Sequence, residues 1–144
     1  MAEMSPEDWA FWNTWMRAQR LLVRELDRGL QRDCGISKAE FSVLITLRQP
    51  MRVGELADAL AWEKSRVAHL LTRMENRGLV ARIEDGATGR RTGVELTGEG
   101  RRTAERATRA HGGNIRRHVL DGLTPEQAAA IRDWSEQVVG RLDP

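Results

Sequence analysis

The residues best suited to do chemistry in this chain lie in residues 62–80, and they are mainly cationic and hydroxylic. Apolar residues recur there at i, i+3, i+4 and i+7, the spacing of one buried helical face: Val67, Leu70, Leu71 and Met74. At about 100° per residue, the opposite face carries hydrogen-bond donors and no carboxylate. That face consists of Trp62, Ser65, Arg66, His69, Thr72, Arg73 and Asn76. Such a face suits an anionic surface, although one helix of this kind is also typical of a solvated amphipathic helix.

The neighbouring segments favour the anionic partner. Val53–Leu60 predicts a short amphipathic helix, and only Ala61 and Trp62 separate it from the next helix. The two helices must therefore cross sharply, as in a helix-turn-helix. Residues 79–83 and 94–96 alternate like half-buried strands, and the turn-rich residues 85–91 between them end on two arginines. Together these elements predict a winged helix-turn-helix.

This arrangement predicts contacts with double-stranded DNA, because the major groove of B-DNA admits one α-helix. Arg and Lys can bind O6 and N7 of guanine, whereas Ser and Thr are less selective. We predict a groove-facing group near the helix N-terminus and a phosphate contact two turns later by Arg73. The groove-facing group is Lys64, Ser65, Arg66 and His69. Arg90, with Arg91, is predicted to enter the minor groove, where arginine responds to groove width and negative potential.

The charge distribution agrees with a DNA partner although the formal net charge is only +2. Residues 64–117 contain thirteen Lys and Arg against six Asp and Glu, while the remainder contains ten against fifteen. A basic middle between acidic ends is the asymmetry expected when one face of a protein meets phosphate.

Long helices are predicted on both sides of this region. Residues 6–33 read as one helix with Ser5 as its cap, and its apolar seam is Trp9, Trp12, Met16, Val23, Leu26 and Leu30. A capping box at residues 37–40 opens the next helix. A basic helix is predicted from residue 98 to about 119, with Gly112-Gly113 marking a bend or a close approach. A last helix begins after Thr124. The apolar stripes exceed what a small winged domain needs, which suggests partner helices from a second copy of the chain.

Three stretches resemble the MarR family of bacterial transcriptional regulators, and the resemblance covers essentially all 144 residues. They are GELA at 54–57, RMENRGLV at 73–80, and GRR at 89–91 running into LTGEG at 96–100. The implied fold is mainly α (α+β), a winged helix-turn-helix with long N- and C-terminal dimerisation helices and a two-stranded β wing. The resemblance implies one domain over 1–144, with dimerisation helices in 1–35 and 98–144 and a DNA-binding region in 36–97. The implied function is that of a homodimeric repressor that binds an inverted repeat and is relieved by a small-molecule effector.

Two residues depart from the expected pattern. The family usually has an aspartate two residues before the wing arginine, Arg90, and this chain has Thr88 there. The carboxylate that would brace the wing is therefore missing. Trp62 stands where a Ser, Asp or Asn cap would normally begin the recognition helix.

The effector site is predicted only in outline. In this family the ligand usually lies between the dimer helices and the winged domain, and the local candidates are Trp12, Trp15, Phe41 and His111. Packing in the core or a dimer is the alternative role for the tryptophans. Cys34 is a candidate oxidant sensor, but it lies at the far end of the first helix, whereas the redox-sensing branch has its cysteine early in that helix. His111 and His118 lack neighbouring metal ligands, so no metal site and no cofactor are predicted.

Several classes of protein are disfavoured. No run of about eighteen apolar residues predicts a membrane span, and the acidic N-terminus does not read as a secretory signal. A single cysteine fits a reducing cytoplasm, where we expect the protein to reside. No phosphate-binding loop, nucleophile elbow or paired metal ligands predict an enzyme. The remaining alternative is a winged-helix dimer that binds a protein partner.

Overall fold

The computed structural model describes residues 1–84 and 86–144 of the chain. Within these residues the elements follow in this order: α1 (Pro6–Cys34), α2 (Lys38–Thr46), β1 (Met51–Arg52), α3 (Val53–Leu60), α4 (Lys64–Asn76), β2 (Val80–Glu84), β3 (Arg91–Leu96), α5 (Gly98–His118), a 3-10 turn (Leu120–Gly122) and α6 (Pro125–Leu142). This is the mainly α winged helix-turn-helix that the sequence predicted.

The chain divides into two compact units. Residues 27–111 form the winged unit, and residues 1–26 together with 112–144 form the terminal unit. Helices α1 and α5 each contribute residues to both units. The functional assignment of 1–35 and 98–144 to dimerisation and of 36–97 to DNA binding stays a prediction.

Local hydrogen bonds explain where the helices begin. Ser37 Oγ accepts from Glu40 N–H at 3.1 Å, and Glu40 Oε1 accepts from Ser37 N–H at 2.9 Å. This confirms the predicted capping box, which satisfies two donors that the first turn of α2 would otherwise leave unpaired. Thr124 and Gln127 form the equivalent box at the start of α6. Pro125, which follows Thr124, lies in the first turn of that helix.

The sheet of the winged unit has three strands, one more than the sequence predicted. Strand β3 lies between β1 and β2 and is antiparallel to both. Strands β2 and β3 form the predicted hairpin, with Val80 opposite Leu96. Strand β1 pairs only Met51 with Val94 and Arg52 with Gly93. Two residues are too few to show an alternating pattern, which is why the sequence did not reveal this strand.

The hydrophobic core lies in the winged unit and joins its helices to its sheet. Val67, Leu71 and Met74 of α4 are fully buried, as are Leu56 of α3 and Val94 of β3. The predicted buried face of the recognition helix is thus confirmed. The core fixes the direction in which the opposite face of α4 points, because a rotation of the helix would expose these residues.

Two glycine positions in α5 differ from each other. A Cβ atom at Gly100 would lie 2.0 Å from the carbonyl oxygen of Leu79, so only glycine fits where α5 begins against the start of the hairpin. At Gly112 and Gly113 no atom of the described residues outside the adjoining helix backbone lies within 4 Å of such a Cβ. Within the described residues there is thus no close approach at this pair, and the alternative of a bend stays a prediction. Helix α5 continues through this pair, and the boundary between the two units falls beside it.

Candidate nucleic-acid interface

The turn before α4 contains three residues, not the two that the sequence suggested. The helix begins at Lys64 and Glu63 is its N-cap, but no side chain caps it. Trp62 therefore lies one residue before the cap position, and not at it as the sequence predicted. The preceding helix ends at Leu60, and its C-cap residue Ala61 has a left-handed φ of 55°. The N–H of Trp62 then returns to the carbonyl oxygen of Ala57 at 3.0 Å, which closes the turn.

The outward face of α4 is solvent-exposed, as its spacing predicted. The exposed residues named as DNA contacts on this helix are Lys64, Ser65, Arg66, His69 and Arg73. Thr72 is also exposed, but its hydroxyl donates to the carbonyl oxygen of Ala68 at 3.1 Å. The structure thus brings the four residues near the helix start together on one surface and leaves Arg73 further along the same helix.

Trp62 and Arg66 form a contact that the sequence did not reveal. The guanidinium carbon of Arg66 lies 4.3 Å from the centroid of the Trp62 ring, within the range of a cation–π interaction. Trp62 is half-buried and packs against the hydrophobic core of the winged unit. The sequence placed Trp62 and Arg66 on one face of a helix, but Trp62 lies before the start of α4, so helical spacing does not account for their contact.

Arg77 fixes the C-terminal end of α4 through contacts that the sequence did not predict. Its guanidinium forms an ion pair with Glu40 and donates to the carbonyl oxygen of Gly35 at 2.7 Å. Glu40 is only 8% exposed and also belongs to the capping box of α2. The recognition helix is thereby bonded to the junction of α1 and α2. The pair spans 37 residues of sequence, so local spacing could not predict it.

Strand β2 is also tied to α4. The guanidinium of Arg82 lies 3.4 Å from both the Ala68 carbonyl oxygen and the Thr72 hydroxyl. These long hydrogen bonds connect the hairpin to the middle of the recognition helix. No sequence motif pointed to Arg82 in this role.

The two arginines of the wing differ in their surroundings. Arg91 forms an ion pair with Glu75 of α4, so part of its charge is neutralised on the protein. Arg90 is exposed, and its backbone N–H donates to the hydroxyl of Thr88 at 3.3 Å. Gly89, which lies between Thr88 and Arg90, has a φ of 68°, which glycine adopts without strain. Thr88 therefore supports the turn through its hydroxyl, although it lacks the carboxylate of the family pattern. Asp85, the first residue of the predicted turn, lies outside the described residues.

The four candidate effector residues form two pairs, one in each unit. In the terminal unit, the Trp15 ring lies 5.6 Å from Trp12 and 5.0 Å from Trp134, both edge-on. These contacts give Trp15 a packing role between α1 and α6.

In the winged unit, the rings of Phe41 and His111 lie 5.0 Å apart. The Nδ1 atom of His111 is buried and has no hydrogen-bond partner among the described residues. Desolvation by burial lowers the pKa of His111, and this effect outweighs the opposing attraction of Asp27. The neutral imidazole is therefore favoured.

The other residues considered as a redox or metal site are Cys34 and His118. Cys34 is the last residue of α1, is half-buried and packs against the core. His118 Nε2 lies 4.0 Å from a Glu25 carboxylate oxygen. Over residues 1–84 and 86–144, no cluster of three metal-ligating side chains occurs. In the same residues no helix is long and apolar enough to cross a membrane.

The known proteins to which this chain is similar in sequence are transcriptional regulators. A family model described as the sugar-specific transcriptional regulator TrmB matches residues 30–92. The transcriptional regulator HosA of Escherichia coli is 32% identical over 94 residues, which cover 64% of this chain and 69% of HosA.

Two solved structures from Streptomyces coelicolor are similar over nearly the whole chain. The MarR family transcriptional regulator Sco3205, in complex with DNA, is 31% identical with a TM-score of 0.82, covering 100% of this chain and 92% of that one. The MarR family transcriptional regulator AbsC is 29% identical with a TM-score of 0.80, covering 99% and 98%. These similar proteins are transcriptional regulators and not enzymes.

Proposed function

Because this chain belongs to the MarR family of transcriptional regulators, we propose that it binds specific sites in double-stranded DNA as a homodimer. The observation that carries the proposal is the exposed face of α4. Its first two turns present Lys64, Ser65, Arg66 and His69 on a helix whose opposite face is locked into the core. A rigid helix with donors at its N-terminal end is what major-groove readout requires. The similarity to Sco3205, whose structure contains DNA, supports the same use of the fold.

In this proposal the residues have different tasks. Arg66 reads a base, since its guanidinium can donate two parallel hydrogen bonds to guanine. Arg73 contacts phosphate, because it lies two turns further along the helix. Arg90 at the tip of the wing enters the minor groove. Arg91 must exchange the carboxylate of Glu75 for a phosphate before it can contribute, so its effect should be smaller than that of Arg90.

The homodimer is supported by the apolar surface of the terminal unit. Six large apolar side chains of α1 and α6 are 42–71% exposed: Trp9, Phe11, Trp12, Ile131, Trp134 and Leu142. Exposed apolar groups of this size on two helices mark an association surface. A two-fold dimer would present two copies of α4, which fits a DNA site with an inverted repeat. Since such a dimer can compete with RNA polymerase for a promoter, repression is the proposed outcome.

We propose that a small-molecule effector relieves this binding and that His111 contributes to its site. An unpaired buried nitrogen beside the Phe41 ring offers one hydrogen bond and one aromatic surface. A buried polar atom without a partner costs free energy, which a ligand that bonds to it would recover. A compound that releases DNA from the wild type should release less from His111→Phe. Equal release from both proteins would remove His111 from the effector site.

The proposed function is tested by capturing sheared DNA from the source genome with the purified protein and sequencing it. A few strongly enriched sites that share an inverted repeat are expected. Affinity for these sites should fall steeply with salt, because bound phosphates release counterions. Diffuse enrichment would argue against sequence-specific regulation. No binding to any duplex at low salt would favour the alternative of a protein-binding winged helix.

Two substitutions then separate base reading from phosphate binding. Arg66→Ala should cost about 1–3 kcal/mol at the specific site and relax the base preference there. Arg73→Ala should weaken binding to all sequences alike and reduce the salt dependence. Both are measured by fluorescence anisotropy on the captured site and on a scrambled duplex. An unchanged base preference in Arg66→Ala would remove Arg66 from the base-reading group.

A further inference from the structure

The Trp62–Arg66 pair gives one exposed arginine of α4 an aromatic contact. Arg77, Arg91 and Arg102 all form ion pairs with carboxylates of the chain. Arg66 contacts an aromatic ring, and no ion pair to it is found in residues 1–84 and 86–144. Its full charge therefore remains available to a ligand.

The ring itself is held firmly by the winged unit. Trp62 packs against the hydrophobic core, and its backbone N–H donates to the carbonyl oxygen of Ala57 at 3.0 Å. The core and the backbone bond to α3 thus determine where the ring lies. The ring is fixed by the core, so its contact with Arg66 restricts the conformations of that otherwise flexible side chain.

The guanidinium carbon of Arg66 is close enough to the Trp62 ring for stacking, and its N–H groups have no hydrogen bond within residues 1–84 and 86–144. A guanidinium over an aromatic ring uses its face, whereas its N–H groups point outward in its own plane. Those N–H groups are the ones that bind O6 and N7 of guanine. A stacked arginine is also restricted to fewer rotamers, so it loses less entropy when it binds a base.

We propose that Trp62 is a positioning residue that determines specificity by holding Arg66 ready to bind a guanine. The inference rests on the proposed DNA-binding function and adds that each half-site contains a G·C pair facing the first turns of α4. Trp62 itself touches no base in this account. Its removal should therefore lower discrimination at that one base pair much more than it lowers affinity for DNA in general.

The test uses the captured DNA site with single guanines replaced by 7-deazaguanine, which lacks the N7 acceptor. For the wild type, one position in each half-site should lose about tenfold in affinity, consistent with a strong base contact. Arg66→Ala should be insensitive to the replacement at that position. Trp62→Leu keeps an apolar side chain but has no aromatic face, and its loss should shrink to about threefold or less. Trp62→Phe keeps the face and should retain most of the wild-type loss.

Each variant is checked for folding by circular dichroism and urea unfolding. If Trp62→Leu does not fold, Trp62→Met provides the same comparison with a flexible apolar side chain. Each folded Trp62 variant should bind a scrambled duplex with an affinity within about twofold of the wild-type value, since its phosphate contacts are unchanged.

Three results would overturn the inference, and they differ in what else they affect. Full wild-type sensitivity in Trp62→Leu would show that the ring does not position Arg66. Specific binding by the wild type without sensitivity to any 7-deazaguanine would reject the guanine contact while leaving the proposed function intact. Failure of the wild type to bind any duplex would reject both.

Discussion

The winged unit and the terminal unit bury their apolar residues to very different extents. All buried hydrophobic residues of the described chain lie between Leu30 and Ala107, inside the winged unit. In residues 1–26 and 112–144 only Asn114 is buried, while Trp9, Phe11 and Trp134 are about half exposed or more. One unit is thus stabilised by its own core, and the other retains apolar surface that a single chain does not cover.

This difference explains how one short chain can combine a rigid surface with an association surface. The direction of α4 depends on fully buried residues, and further contacts fix the helix from three sides: Arg77 to Glu40, Arg82 to Thr72 and Arg91 to Glu75. These bonds all lie within the winged unit. The terminal unit has the opposite character, because its large side chains remain available to another surface. The predictions below test this contrast.

The largest effect is expected from a substitution in the core of the winged unit. Leu71 is fully buried, and Leu71→Ala should lower the free energy of unfolding by about 2–5 kcal/mol through lost burial and the remaining cavity. Ile45 on α2 of the same unit is 40% exposed, so Ile45→Ala serves as the matched control. It should cost about 1 kcal/mol or less. Urea denaturation measures both values, and similar losses would contradict the assignment of the core.

An intermediate effect is expected in the terminal unit, and it should depend on protein concentration. Ile131 is 52% exposed, so a charge there is solvated in a single chain but buried in the proposed dimer. Ile131→Asp should weaken association by about tenfold or more, since burying an unpaired charge is costly. Gln137→Asp adds the same charge at an exposed polar position of α6 and should have little effect. Sedimentation equilibrium gives both association constants.

The outcome would change the comparison of the two units. If neither aspartate affected association, or if the wild type were monomeric at all concentrations, the exposed apolar surface would need another explanation. If Ile131→Asp and Gln137→Asp weakened association equally, the association surface of α6 would not be specific to apolar residues such as Ile131.

The sequence predicted what depends on local patterns. The 3–4 spacing of Val67, Leu70, Leu71 and Met74 identified the buried face of α4, because helical periodicity decides which residues share a face. Ser37 and Glu40 identified the start of α2, because their reciprocal hydrogen bonds span only three residues. The alternation in residues 79–83 and 94–96 identified the hairpin.

What the sequence missed depends on residues that are distant along the chain. The Arg77–Glu40 pair spans 37 residues and the Arg91–Glu75 pair spans 16, so no local pattern joins them. The sequence placed Trp62 and Arg66 on one face, but their contact depends on the turn before α4, which no local pattern predicted. The roles of the α4 and wing residues in DNA binding stay predictions, which the substitutions of Arg66 and Arg73 test.

The smallest effect concerns the turn between α3 and α4, where the winged unit is locally strained. Ala61 is the one non-glycine residue with positive φ in residues 1–84 and 86–144. Its side chain is exposed, so Ala61→Gly removes no buried contact. The substitution relieves left-handed strain but makes the unfolded chain more flexible. The net result should be a gain of about 0.5–1 kcal/mol in the free energy of unfolding, because the left-handed penalty exceeds the entropy cost of glycine.

A neighbouring alanine provides the control for this last prediction. Ala59 is exposed within helix α3, and Ala59→Gly should destabilise the protein by roughly 0.5–1 kcal/mol. The same chemical change, two residues apart, is thus expected to have opposite signs, because only Ala61 has the left-handed conformation that glycine favours. Urea unfolding at one protein concentration resolves the difference. A loss of stability in both variants would mean that the strain at Ala61 is smaller than the entropy cost of glycine. The turn between α3 and α4 would then carry no significant backbone strain.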